Sequence, residues 1–278
     1  MLGRLRIRRG PVHPIIIGGC FRSGTSLLRR LLNAHSRIYC GPEVKFFRDL
    51  YGDYFHDPLQ HLRFTASART MLGEDDLLDV LGRAFIDMHA WATAQAGKAR
   101  WADKNPENVL YLDQWQRLLG DGWRFVLLVR NPLDTLASMT EAGFPLTIPV
   151  TLDERIALYL RYTLAGWRFA DAHPDRSYVL AYERLVLEPE ERLRALMAWL
   201  GEDYEPAQLC YNDFPHQTGL EDPKVVKSSR IVSNSVGRWR SVFGQAEAEQ
   251  ILAATRGVWD RMAQQRDLAH VLAAALEV

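Results

Sequence analysis

The segment Ile15-Ile16-Ile17-Gly18-Gly19-Cys20-Phe21-Arg22-Ser23-Gly24-Thr25-Ser26-Leu27-Leu28 runs from three isoleucines into a glycine-bearing loop and then into leucines. Consecutive apolar residues of this length mark a strand covered on both faces. Leu27, Leu28, Leu31 and Leu32 repeat at helical spacing, so the expectation is strand, loop, helix. Gly19 and Gly24 are five apart and Thr25-Ser26 follows, which is the frame GxxxxGK[ST] with Thr25 in the place of the lysine. Glycines let such a loop curl until successive N–H groups point inward at a helix start, forming an anion nest backed by the helix dipole. Hydrolysis of ATP or GTP needs the missing lysine on the β- and γ-phosphates. Arg22 offers positive charge at the loop instead.

Two further apolar runs, Phe125–Val129 and Tyr178–Ala181, have the same buried-strand character. Each leads into a helical pattern. Asn131-Pro132 supplies a cap and a first-turn proline, and Pro189 to Leu200 is a helix stopped by Gly201. Thr151 and Glu154 have capping-box spacing before a helix to about Ala172. Residues 74–96 are helical by pattern. Asn105-Pro106 caps a helix through Leu119, and the tail from Ala246 to about Ala274 is helical with a break near Arg256-Gly257. Strand–helix alternation predicts an α/β fold, a doubly wound parallel sheet with one P-loop-like strand–loop–helix. The organisation expected is a basic tail over 1–13 and a single domain with helical insertions over 14–278.

With 278 residues, 47% apolar, the chain can bury a sizeable core. Lys plus Arg and Asp plus Glu are both 34, so bulk charge gives no reason to expect nucleic acid or a membrane surface as partner. The balance hides an asymmetry. No acid precedes Glu43, while Arg4, Arg6, Arg8, Arg9, Arg22, Arg29, Arg30 and Arg37 do, so residues 1–42 carry +8 and the rest −8. Arg4 to Arg9 are expected in a solvated tail. The cysteines, Cys20, Cys40 and Cys210, lack metal-site spacing, and their odd number suits a reducing compartment. No apolar leader follows the basic start and no run reaches bilayer length. The expectation is a cytoplasmic protein without an integral membrane segment.

The run GGCFRSGTSLLRRLLNAH, residues 18–35, resembles the 5′-phosphosulfate loop of sulfotransferases that use 3′-phosphoadenosine 5′-phosphosulfate (PAPS), leaving PAP as product. Residues 125–139, FVLLVRNPLDTLASM, are similar to the second family motif: Arg130 ends a strand and Ser138 follows eight residues on. In the family this pair grips the 3′-phosphate, as a guanidinium fork and a hydroxyl are suited to do. The resemblance implies donor contacts from Arg22, Ser23, Gly24, Thr25 and Ser26. Tyr182 matches a nucleotide-contacting tyrosine of tyrosylprotein sulfotransferases. SNSVGRWRSVF, residues 233–243, is similar to the late loop over the nucleotide, which implies Ser235, Gly237, Arg238 and Trp239. The match keeps its order from about residue 14 to 245.

Sulfuryl transfer asks for in-line positioning, charge stabilisation and a base for the acceptor hydroxyl. Resemblance to the tyrosylprotein sulfotransferase branch implies Glu43 as that base and Lys104 at the leaving oxygen, with Arg22 adding charge. His35 is the rival base. For Glu43 the competing reading is a structural ion pair with Lys45 or Arg48. No metal is expected. That branch has an arginine four residues after the serine, where this chain has Ala142, and another soon after the glutamate, where Val44-Lys45 stands. Donor chemistry is therefore carried over further than acceptor identity. The acceptor is expected to be a hydroxyl or phenol of a small molecule, glycoside, lipid or peptide tyrosine. Its pocket is expected from residues 44–100 and 140–155, with Phe46, Phe47, Tyr51, Tyr54, Phe55, Trp91 and Phe144 as lining or core. The alternatives are a P-loop phosphotransferase or NTPase and a non-catalytic binder of PAP or another nucleotide.

Overall fold

The computed structural model describes residues 13–52, 63–142, 147–217, 230–263 and 268. The N-terminal arginines, Tyr54, Phe55, Phe144 and most of the chain beyond Ala263 lie outside the described residues. Five parallel strands form one sheet in the order β2-β3-β1-β4-β5. They are β1 (Ile15–Gly19), β2 (Ile38–Cys40), β3 (Arg100–Lys104), β4 (Arg124–Val129) and β5 (Ser177–Ala181). The three apolar runs are β1, β4 and β5, as the sequence predicts. The helices are α1 (Thr25–Asn33), α2 (Phe46–Tyr51), α3 (Arg63–Met71), α4 (Glu74–Gln95), α5 (Leu112–Leu119), α6 (Pro132–Ala142), α7 (Leu152–Ala172), α8 (Tyr182–Leu187), α9 (Pro189–Leu200) and α10 (Gln245–Met262).

Alternation along each strand feeds two separate cores. Ile16, Phe125 and Leu127 pack with Trp115, Tyr159 and Trp167 from α5 and α7. Ile15, Ile17, Val126 and Leu128 pack with leucines of α1 and α9. Gly166 lets α7 lie close on β4, since a Cβ there would sit 2.5 Å from Leu127 Cδ1. The chain leaves β1 toward β2 on one side and later crosses to β4 on the other. Parallel sheets of this kind place ligands in the crevice beyond the strands' C-terminal ends, where the order reverses.

Local signals account for the helix ends. Asn131 Oδ1 accepts the Leu133 N–H at 2.8 Å to start α6, Thr151 and Glu154 form the capping box of α7, and Gly201 closes α9 with φ 75°. Two sequence expectations are corrected. The Asn105-Pro106 segment is a 3-10 turn over Pro106–Leu110, then α5, rather than one helix. Helix α10 runs unbroken through Gly257, because burial of Val258, Trp259 and Met262 outweighs one glycine. Arg29 and Arg30 are buried. Arg29 donates to the carbonyls of Cys40 and Gln217, and Arg30 to Asn212 Oδ1, holding the 212–217 segment against α1.

Glu183 ties α8 to the start of α6: its Oε1 accepts the Asn131 N–H at 2.9 Å. Burial lifts its carboxyl from an ordinary 4.5 to about 7, although backbone amides and Arg130 pull the other way. A carboxyl raised in the folded state stabilises fully below its unfolded value, and that contribution is lost as pH climbs through the folded value. Glu183→Gln, which stays neutral, should therefore exceed wild type in stability by roughly 1–3 kcal/mol at pH 8. The gap should close toward pH 4.5 in thermal unfolding scans.

Candidate active site

All five strand ends converge on one region. After β1, the loop 20–24 curls into α1 through two left-handed residues, Arg22 (φ 68°) and Gly24 (φ 93°). A left-handed conformation at a non-glycine residue costs about 1–2 kcal/mol and is kept where surrounding contacts impose it. Those contacts are visible. Arg22 Nε donates to Ser138 Oγ at 3.1 Å, and its carbonyl accepts from Arg130 Nη1 at 2.8 Å. The two halves of the motif are thus bonded to each other across the sheet. Gly24 is obligatory for a second reason, since a Cβ there would lie 2.3 Å from the ring of Tyr182.

Arg130, just past β4, is 4% exposed. Its guanidinium lies 4.4 Å from the Tyr182 ring centroid, and Nη2 donates to the Ser235 carbonyl at 2.6 Å. Tyr182, just past β5, therefore has both Gly24 and Arg130 against its ring. The late loop is fixed by Asp134, a fully buried residue of α6. Its Oδ2 accepts the Gly237 N–H at 2.8 Å and its Oδ1 the Trp239 N–H at 3.0 Å. Arg238 pairs with Glu141 on the same helix. Ser235, Gly237, Arg238 and Trp239 are thereby brought to the glycine loop.

The second cluster surrounds Lys104, the last residue of β3, which is 1% exposed. Its Nζ is 2.8 Å from Glu43 Oε2 and 3.4 Å from Ser26 Oγ on α1. Glu43 lies on the irregular segment between β2 and α2. Its Oε1 accepts from Lys45 Nζ at 2.5 Å, and Lys45 also donates to both oxygens of Glu107 at 2.8 and 2.9 Å. Arg48 Nη1 reaches Glu107 at 3.0 Å. Burial pushes the Glu43 carboxyl up, but the Lys104 and Lys45 ammoniums outweigh it and hold the group below the usual carboxylate range. The ion pair with Lys45 and the contact with Lys104 coexist, while Arg48 pairs with Glu107.

His35 stands elsewhere. Its Nε2 is 2.8 Å from the Asp203 carbonyl and Nδ1 accepts from the Arg37 N–H at 3.1 Å, a packing role beyond the end of α1. Phe46 stacks on Phe85, and Phe47 on Tyr111 and Tyr51, in core beside α4 and α5; Trp91 is exposed. Sequence reasoning did not single out Asp134 or Glu107. Asp134 occupies the third position after the cap Asn131, where an acid reads as part of the helix start, so nothing in the string points to its reach across to 237–239.

The fit to a phosphorylated ligand can be tested on unsatisfied atoms. Ser23 Oγ and Arg130 Nε are buried with no hydrogen-bond partner among the described residues. Buried polar groups are rarely left so, and both stand at the loop. The residues assembled are cations, hydroxyls and helix-start amides, a donor set for anions.

Fold and site together define an α/β protein with a glycine-bearing loop at the switch point of a parallel sheet. A profile of the sulfotransferase family matches residues 14–206, and the chain belongs to that family. It is 28% identical over 260 residues to the nodulation protein NoeE of Sinorhizobium fredii, across 84% of this chain and 61% of that one. A putative protein-tyrosine sulfotransferase of Caenorhabditis briggsae is 25% identical over 229 residues, 80% of this chain and 77% of the relative. The solved sulfotransferase domain of the Synechococcus PCC 7002 olefin synthase superposes with a TM-score of 0.62 at 21% identity, covering 88% of this chain and 94% of the domain.

Asp134→Asn should release the late loop. Replacing one carboxylate oxygen by an amide leaves a buried backbone N–H facing an NH2. The expected loss is at least about 1.5 kcal/mol, read as roughly tenfold faster amide exchange at Gly237 and Trp239.

Proposed function

We propose that the protein transfers a sulfuryl group from PAPS to the hydroxyl or phenol of an acceptor, with Glu43 as general base and no resident metal. The observation that carries this reading is the placement of Lys104: one buried ammonium touches both the Ser26 hydroxyl of the donor loop and the carboxylate that would receive the acceptor's proton. When bound, the donor supplies a sulfuryl group activated on a phosphosulfate anhydride.

The chain's own residues divide the work. The loop amides and the side chains of Ser23, Thr25 and Ser26 hold the 5′ end, with Arg22 adding charge. Arg130 and Ser138 hold the 3′-phosphate, Tyr182 packs beside it, and the 235–239 loop covers it. Lys104 stabilises negative charge growing on the leaving oxygen, where a compact ammonium in a dry site acts most strongly. Glu43 is ionised at neutral pH, with its two ammonium neighbours holding it low, so it has the charge state a proton acceptor needs. The acceptor class proposed is a hydroxyl of a small molecule, glycoside, lipid or peptide tyrosine. The residues proposed to form the domain are 14–278. A cytoplasmic setting is supported by three cysteines that are all unpaired, Cys20, Cys40 and Cys210.

The test has two arms. PAP at 100 times its dissociation constant should stabilise the protein by roughly 2.7 kcal/mol without any metal, and Arg130→Ala should abolish this shift. A shift only with ATP and magnesium would replace the reading by a phosphotransferase. Glu43→Gln should keep the PAP shift and lose turnover with 2-naphthol, an alkyl glucoside or a tyrosine peptide by at least about 100-fold. Full turnover in that variant would remove Glu43 as the base.

A further inference from the structure

Glu43 sits on backbone without regular structure: residues 41–45 form neither helix nor strand. Nothing in the local fold orients its side chain, yet a general base must be held within hydrogen-bond reach of the proton it takes. What holds it is a second pair of charges. Segment 43–45 presents a carboxylate, then an ammonium. Segment 104–107 presents an ammonium, then a carboxylate. They meet as two rungs of opposite charge, Glu43 with Lys104 at 2.8 Å and Lys45 with Glu107 at 2.8 and 2.9 Å.

The proton inventory of Lys45 sharpens this. An ammonium has three donors, and Lys45 Nζ contacts three oxygens, Glu43 Oε1 and both oxygens of Glu107. Its charge is thus divided between two carboxylates. Glu107, 4% exposed on the turn after β3, is anchored in its turn by Arg48 at 3.0 Å. The charged or titratable groups around Glu43 are Lys104 from β3, Lys45 beside it, Arg48 from α2, Glu107 from the 3-10 turn and, near the latter two, Tyr162 from α7.

We propose that Glu107 is a positioning residue for the transfer reaction: by taking two of the three protons of Lys45 it fixes the orientation of Glu43 and prevents Lys45 from neutralising it. This rests on Glu43 being the base. If Glu107 is made neutral, Lys45 turns its whole charge on Glu43, which becomes a weaker base.

The measurement is the pH dependence of kcat with PAPS and whichever of the three acceptors above turns over fastest. In Glu107→Gln the acidic limb should move to lower pH by roughly half a unit or more. kcat at its plateau should fall about tenfold, part of the 100-fold or more that a base supplies, with the acceptor KM and the PAP-induced thermal shift unchanged. Should the change beside Arg48 prevent folding, Arg48→Met/Glu107→Gln removes both charges and should show the same limb. In a Lys45→Met background the Glu107→Gln change should no longer move the limb. A limb that stays at its wild-type position in Glu107→Gln, or one that still moves without Lys45, overturns the proposal. Glu43→Gln separates the two levels. If the limb vanishes there but does not move in Glu107→Gln, the base stands and only the role of Glu107 falls. If the limb survives in Glu43→Gln, the base assignment falls and this proposal with it.

Discussion

The buried ammonium of Lys104 is the constraint around which the site is organised. A charged group with a fully covered side chain is tolerated only when it is paired and hydrogen-bonded. Lys104 ends β3, so its partner must come from a neighbouring strand end, and Glu43 follows β2. Satisfying the pair therefore fixes how the short edge strand β2 and the segment after it lie against β3. Ser26 on α1 lies within 3.4 Å of the same ammonium. One desolvated charge thus sets the distance between the glycine loop and the carboxylate. Removing either partner would leave the other charged and buried, which costs several kcal/mol.

On the other side of β1 the arrangement rests on neutral and charge-assisted contacts to backbone. Arg130 is aimed by bonds to the carbonyls of Arg22 and Ser235 and by the Tyr182 ring. Asp134 gives both oxygens to amides of the late loop. These are bonds between parts of the chain more than 100 residues apart. The loop, the second motif and the late loop therefore form a unit whose geometry precedes any ligand, the preorganisation that limits the cost of binding an anion.

Much of this was legible in the string because apolar runs and glycines carry local information. The isoleucines of β1, the run 125–129 and the spacing of Gly19 and Gly24 needed no tertiary context. Strand β3 was not legible as a strand. Arg-Trp-Ala-Asp-Lys has three charges in five residues, and only lateral partners make their burial acceptable: Arg100 bonds the carbonyls of His13 and Leu200, Asp103 takes the amides of Asn105 and Asn108, and Lys104 has Glu43. Strand β2 is three residues long and too short for any periodicity. Lys45 and Glu107 are 62 residues apart and meet only after β2 and β3 pair. Asp134 and Gly237 are joined across 103 residues for the same kind of reason.

That division explains why donor chemistry reads out of this sequence more readily than the acceptor. Most of the donor contacts that the resemblance implies fall at the ends of regular elements, where strand and helix patterns fix position to within a residue. The acceptor pocket is expected from residues 44–100 and 140–155, where pattern does not say which side chains line a pocket and which are core. The departures fall there too. Where the tyrosylprotein sulfotransferase branch carries an arginine soon after its glutamate, this chain has Lys45, and the two are not equivalent. A guanidinium has five donors in a fixed fork and can serve an acidic acceptor while keeping its internal partner. An ammonium has three, and those of Lys45 face Glu43 and Glu107. The cation beside Glu43 is thus turned inward here, toward the protein.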